Sequence, residues 1–116
     1  MNHRKTGSEK EQLACRYLTQ NGYEIVATNY RCRYAEIDIV ARDAGQLVFV
    51  EVKYRRNKKY GGSLYAISPK KIRNISLCAR YYIYKERVLP DTPVRFDVIA
   101  MDGDEIMHVK NAFDAV

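Results

Sequence analysis

At 116 residues the chain has the length of one domain, spanning 1–116, and folding would remove somewhat under about 70% of the extended chain's surface from water, enough for a core without disulfides. Its three cysteines, Cys15, Cys32 and Cys78, are odd in number, scattered and without zinc-ligand spacing, which argues against a disulfide scaffold or zinc module and for reduced thiols in the cytoplasm. The first eleven residues are dominated by polar and charged groups and no apolar run approaches the roughly 18–20 residues of a membrane helix, so neither a signal peptide, an anchor nor a membrane partner is expected.

The first predicted element is a helix over residues 8–21, with an apolar stripe of Leu13, Ala14, Tyr17 and Leu18, ended by Gly22. Glu11 lies one turn before Cys15, and Leu18 follows on the same side, so its carboxylate is directed inward; an acid in a first turn also complements the helix dipole for about 0.3–1 kcal/mol. Strands follow at 23–30, 34–42 and 47–54. Side chains alternate along a strand, which puts Ile37, Ile39 and Ala41 on one face and Glu36, Asp38 and Val40 on the other. The same period puts Val48, Val50 and Val52 opposite Glu51 and Lys53. If Ala44 and Gly45 are the two turn residues between these strands, Ile39 faces Val50, Ile37 faces Val52 and Ala41 faces Val48. Asp38 then lies opposite Glu51, and Glu36 opposite Lys53. Residues 55–67, with Gly61-Gly62, read as a loop too basic for the core and flexible enough to close over nucleic acid. Ser68 as N-cap and Pro69 at the first helical position open a second helix to about Lys85, with Ile72, Ile75, Ala79, Tyr82 and Ile83 as its buried stripe. Strands at 94–101 and 105–109, joined at Asp102-Gly103-Asp104, complete an α/β mixed β-sheet flanked by α-helices.

Two carboxylates directly opposed across a strand pair have Cβ atoms roughly 4.5–5.5 Å apart, which is destabilising unless something neutralises them. A hard divalent cation would do so: magnesium takes oxygen ligands, keeps several waters and is commonly held by one or two carboxylates plus a substrate phosphate. Asp38 and Glu51 as ligands, with Lys53 to orient water or stabilise developing charge, make metal-dependent phosphodiester chemistry the functional reading. The plainer alternative is a solvated strand face with a Glu-to-Lys ion pair contributing about 0–1 kcal/mol. Glu36, as the partner of Lys53, has a supporting role. Residues 53–85 hold ten Lys or Arg and no Asp or Glu, leaving ten basic against fourteen acidic residues elsewhere, so the net +6 conceals a basic block. Arg55, Arg56, Lys58, Lys59, Lys70, Lys71 and Arg73 are its candidate phosphate contacts. Tyr54, Tyr60 and Tyr65 lie among them, where rings can stack on unpaired bases. His3 and His108, at opposite ends of the chain, form no recognisable metal or nucleophile constellation, and a structural or exposed role is expected for both.

Gly7 with Glu11, Gly22-Tyr23, Asn29-Tyr30-Arg31, Glu36-Ile37-Asp38, Phe49-Val50-Glu51-Val52-Lys53, Arg95-Phe96-Asp97-Val98 and Asn111-Ala112-Phe113 occur in the order and spacing of the bacterial YraN family, which the chain resembles from about Gly7 to Phe113. The resemblance implies a restriction-endonuclease-like fold, similar to archaeal Holliday junction resolvases, and a Mg2+- or Mn2+-dependent endonuclease acting on DNA, with branched or junction DNA as substrate class. It implies Glu11 as a helix-borne acid, Asp38 and Glu51 as metal carboxylates, the Val52 carbonyl as a further ligand and Lys53 as the catalytic lysine. Lys10, Ala35 and Tyr54 depart from the family pattern, which has glycine, glycine and threonine there; none removes a carboxylate or the lysine. Junction cutting would favour a homodimer, since two opposed strands need two active sites. The competing classes are a nucleic-acid-binding module that keeps the fold without turnover, and a protein that docks acidic partners on its basic face.

Overall fold

The computed structural model describes residues 3–55, 66–103 and 105–116. Helix α1 (His3–Gln20) leads into strands β1 (Glu24–Arg31), β2 (Glu36–Asp43) and β3 (Gln46–Arg55); helix α2 (Pro69–Lys85) precedes β4 (Val94–Asp102) and β5 (Glu105–Val109). The strands stand side by side in chain order, antiparallel throughout except for β3 with β4. A parallel pair needs a crossover, and α2 lies in the connection that supplies it. The expected α/β architecture, a mixed sheet with helices on its faces, is what forms. Helix α1 starts at His3, ahead of the expected residue 8.

Local chemistry sets the element ends. Gly22 has φ +89°, its N–H donates to the Thr19 carbonyl at 3.1 Å, and the Tyr23 N–H donates to the Leu18 carbonyl at 3.0 Å, so a Schellman turn closes α1 and buries Tyr23 beside Leu18. Ala44 and Gly45 both have positive φ, 51° and 85°, giving the two-residue turn between β2 and β3, with Ala41 opposite Val48 and Ile39 opposite Val50 as expected. The Ser68 hydroxyl accepts the Lys71 N–H at 3.1 Å, and Pro69 follows at the start of α2. Ser68→Ala removes that acceptor and is expected to cost about 1 kcal/mol, seen as a lower urea midpoint with an unchanged slope.

The core has two layers. On one face Ala14 and Leu18 of α1 pack with Ile39, Val48, Val50 and Ile99; on the other, Ile75, Cys78, Ala79 and Tyr82 of α2 pack with Val40, Leu47, Phe49 and Phe96. This corrects the expectation of half-polar strands: Val40, assigned to the polar face, is fully buried, because each face carries a helix. Alternation also breaks at Asp38, since Ile39 packs in the α1 layer but Ile37 in the α2 layer. The β2–β3 ladder ends at Ile39 and Val50, so Ile37 and Val52 do not pair as expected. Instead the Val52 N–H donates to the Asp38 carboxylate at 2.8 Å, and the side chain takes the place of a ladder bond. Among the described residues no helix is long and apolar enough to cross a membrane.

Candidate functional site

Where the β2–β3 ladder stops, a cleft of about 500 Å³ opens between the strand ends, the turn before β2 and the first turns of α2. Glu36, Asp38, Glu51 and Val52 line its strand side, and Ser68, Lys70, Lys71 and Asn74 its helix side. Glu51 is only 5% exposed, and its carboxylate forms an ion pair with the Lys71 ammonium. Burial pushes the Asp38 carboxyl well above its usual range; the charge of Glu51 adds to this, the Val52 N–H opposes it, and Glu11 contributes a smaller push upward. Like charges held this close favour keeping a proton on the pair or taking up a cation.

Glu11 approaches from α1. Asn29 Nδ2 donates to both its carboxylate oxygens at 2.9 Å, and Asn29 itself has φ +52° within β1. Glu11 is half-buried, its bonds to Asn29 lie at an exposed position, and its field reaches Asp38 and Cys15. Asp38, Glu51, Val52 and Glu36 thus converge on one cleft, with Glu11 close enough to act electrostatically. Glu36 does not pair with Lys53: its register partner is Arg31, which it meets at 3.8 Å, because the β2–β3 ladder ends before reaching Glu36. Lys53 is half-buried, in register with Ala100, and is not among the residues lining the cleft. Lys71 takes the position beside Glu51 that strand spacing suggested for Lys53.

The basic residues divide. Lys70 and Lys71 line the cleft at the N-terminus of α2, where the helix dipole also favours anions. Arg55 Nη2 lies 3.1 Å from Asp102, a carboxylate only 6% exposed whose burial requires a counterion, and Arg55 is not among the residues lining the cleft. Arg73 lines a separate hollow with Arg80 and Val116. Arg56, Lys58, Lys59, Tyr60, Tyr65 and the Gly61-Gly62 loop lie outside the described residues. Lys10 and Tyr54, two of the three departures from the YraN pattern, meet each other: the Lys10 ammonium sits 4.3 Å from the Tyr54 ring centroid, so that ring already has a cation on it.

Among the described residues no group of three His, Cys, Asp or Glu side chains is placed to hold a metal ion. Two carboxylates with a neighbouring backbone carbonyl are the donor set that suits magnesium or manganese, which complete their shells with water and substrate phosphate.

A second polar centre lies away from the cleft, at residues that spacing did not single out. Asp97, fully buried, accepts from Arg95 Nε at 2.8 Å, from the Asn111 N–H at 3.0 Å and from the Tyr23 hydroxyl at 3.2 Å, and lies 2.7 Å from His108 Nε2. Burial raises its carboxyl, but the hydrogen bonds from His108, Arg95 and Asn111 outweigh that and hold it down at about 2. Arg95 also reaches Asp43 at 3.1 Å and Gln46 at 2.9 Å, tying the β2–β3 turn to β4. His108 accordingly has the structural role expected for it. The signal available in the sequence was Arg95 and Asp97 inside an otherwise apolar strand.

A family model described as "Uncharacterised protein family UPF0102" matches residues 10–101, which include Glu11, Asp38, Glu51, Lys71 and Asp97. The chain belongs to the UPF0102 family. A UPF0102 protein of Lachnoclostridium phytofermentans is 52% identical over 115 residues, covering 99% of this chain and 98% of the relative. One of Legionella pneumophila is 45% identical over 111 residues, covering 94% of each, and one of Syntrophus aciditrophicus is 45% identical over 114, covering 95% and 89%. The chain therefore spans nearly the full length of these UPF0102 relatives. His108 and Asn111, which complete the Asp97 centre from β5 and the turn after it, lie beyond the segment matched by the UPF0102 model.

Proposed function

We propose that this chain is a Mg2+- or Mn2+-dependent endonuclease of the YraN type and restriction-endonuclease-like fold, hydrolysing phosphodiester bonds of DNA, with branched or junction DNA as its substrate class and the cytoplasm as its compartment. The observation that carries this reading is the pairing of half-buried Asp38 with buried Glu51 in the lining of a cleft edged by lysines. A divalent ion held by Asp38, Glu51 and the Val52 carbonyl would polarise a phosphoryl oxygen and lower the pKa of an attacking water. Lys70 and Lys71, at the positive end of α2, hold the phosphate against the carboxylates. Glu11, fixed by Asn29, adds negative potential that strengthens cation uptake. Lys53, two residues beyond Glu51, is assigned to orient the water and stabilise developing charge; Lys71 is a second cation available for that task.

One observation favours the alternative of a nucleic-acid-binding module without turnover: the Lys71 ammonium already neutralises Glu51. Labelled four-way junctions, flaps, single strands and plain duplex, incubated with magnesium or manganese, separate the two. The nuclease reading expects junction or flap cleavage by wild type that is lost in Lys53→Ala while binding persists. Binding without metal-dependent cutting moves the assignment to the binding module, and equal cutting by wild type and variant points to a contaminating nuclease.

A further inference from the structure

Beside the carboxylate cleft lies a second hollow of about 350 Å³, lined by Arg31, Cys32, Arg33, Tyr34 and Tyr81. Tyr34 borders both spaces, and Arg31 is linked to the cleft residue Glu36 at 3.8 Å. The volume lies within the range of small-ligand sites. Its composition is specific: two aromatic rings, 53% and 46% exposed, stand beside two exposed guanidinium groups, and among the described residues no acid lines the space. Tyr81 also has the Lys85 ammonium 5.9 Å from its ring centroid.

Cations alone would take any polyanion, and rings alone would take any flat apolar group. Together they match a base that stacks on a ring while its phosphate meets an arginine. A paired base is already stacked on its neighbours within a duplex and offers no face to Tyr34 or Tyr81, so the combination selects unpaired nucleotides. We propose that the hollow between Tyr34 and Tyr81 is a subsite for one unpaired nucleotide. Its placement next to the scissile phosphodiester rests on the nuclease reading, whereas its ability to bind does not. The subsite makes single-stranded arms, flaps and the open centre of a branched molecule the preferred ligands over plain duplex.

The test needs no turnover and is run with EDTA present. Anisotropy of a labelled single-stranded DNA hexamer and of a labelled duplex is measured with wild type, Tyr34→Leu and Tyr81→Leu. Each variant is expected to bind the single strand roughly 5- to 100-fold more weakly while duplex affinity changes less than about 2-fold, the range for loss of one stacked base. Cys32 supplies a second readout because it is a lining residue of the hollow and its Sγ accepts the N–H of Tyr34 at 3.3 Å, whereas Cys15 lies on α1 and Cys78 is buried. The hexamer should slow alkylation of Cys32 relative to Cys15, and the same hexamer made of abasic sites should not. Equal loss of single-strand and duplex binding, no loss of either, or equal protection by the abasic strand would overturn the subsite. If no substrate is ever cut yet the single-strand selectivity holds, the nuclease reading fails and the subsite stands. Cleavage without that selectivity means the reverse, a nuclease that lacks the subsite.

Discussion

Asp38→Asn is expected to abolish metal-dependent cleavage and, at the same time, to raise the melting temperature of the metal-free protein. The activity loss, roughly 10²-fold or more, follows from removing one of two carboxylates that hold the cation. The stability gain follows from the same geometry. An asparagine carbonyl oxygen can still accept the Val52 N–H, now 2.8 Å from the Asp38 carboxylate, while repulsion with buried Glu51 disappears. Asp38 is raised in the folded state, so the folded chain binds its proton more tightly than the unfolded chain does. Its contribution is most favourable below the unfolded value near 3.8 and falls as pH rises through the raised folded value, with the full penalty above it. The variant should therefore gain more at pH 8 than at pH 4.5, by about 1 kcal/mol or more at the higher pH, which is roughly 4–8 °C. Calorimetric scans at the two pH values measure this. A lower melting temperature at pH 8 would mean that the carboxylate is held for structure and not strained for metal.

Asp97→Ala should have the largest effect on folding. The substitution leaves Arg95, His108, Tyr23 and the Asn111 N–H without their common acceptor, a carboxylate that is itself fully buried, and breaking such a buried pair costs about 3–5 kcal/mol. That is a large part of the roughly 5–15 kcal/mol by which domains are stable. The sign with pH is opposite to that of Asp38. A carboxyl held at about 2 contributes fully above the unfolded value near 3.8, and the contribution is lost as pH falls from about 4 towards 2. Urea unfolding from pH 7 to pH 2 should show wild type losing stability steeply below pH 4 and Asp97→Ala losing less over that interval. Parallel curves would show that other carboxylates carry the acid sensitivity.

Signals that act within a few residues were the ones legible in the sequence. Gly22, the Ala44-Gly45 turn and Ser68-Pro69 each set an element end through their own backbone geometry, and the register near the turn followed from them. Farther from the turn the register argument failed at Asp38, because a side chain replaced a backbone partner for Val52. Burial on both faces could have been read from the unbroken run Leu47-Val48-Phe49-Val50, since a strand with one polar face would alternate. The site was half legible: Glu36, Asp38 and Glu51 meet in one cleft, and of the predicted cations Lys70 and Lys71 line it while Arg55 and Arg73 do not. Lys71 reaches Glu51, and Arg55 reaches Asp102, from distant points in the chain, and no periodicity encodes contacts made by the packing of α2 and β4 on the strand ends. The Asp97 centre escaped for the same reason, its histidine coming from a neighbouring strand.

Depletion of the free Mn2+ signal in electron paramagnetic resonance, measured on wild type, Asp38→Asn and Glu51→Gln, tests the Asp38–Glu51 cation site most directly. One saturable site per chain in wild type, lost in both folded variants and displaced by magnesium, is the predicted result. Unchanged Mn2+ binding in both variants would contradict it and leave the pair as a proton-sharing, lysine-neutralised element of the fold.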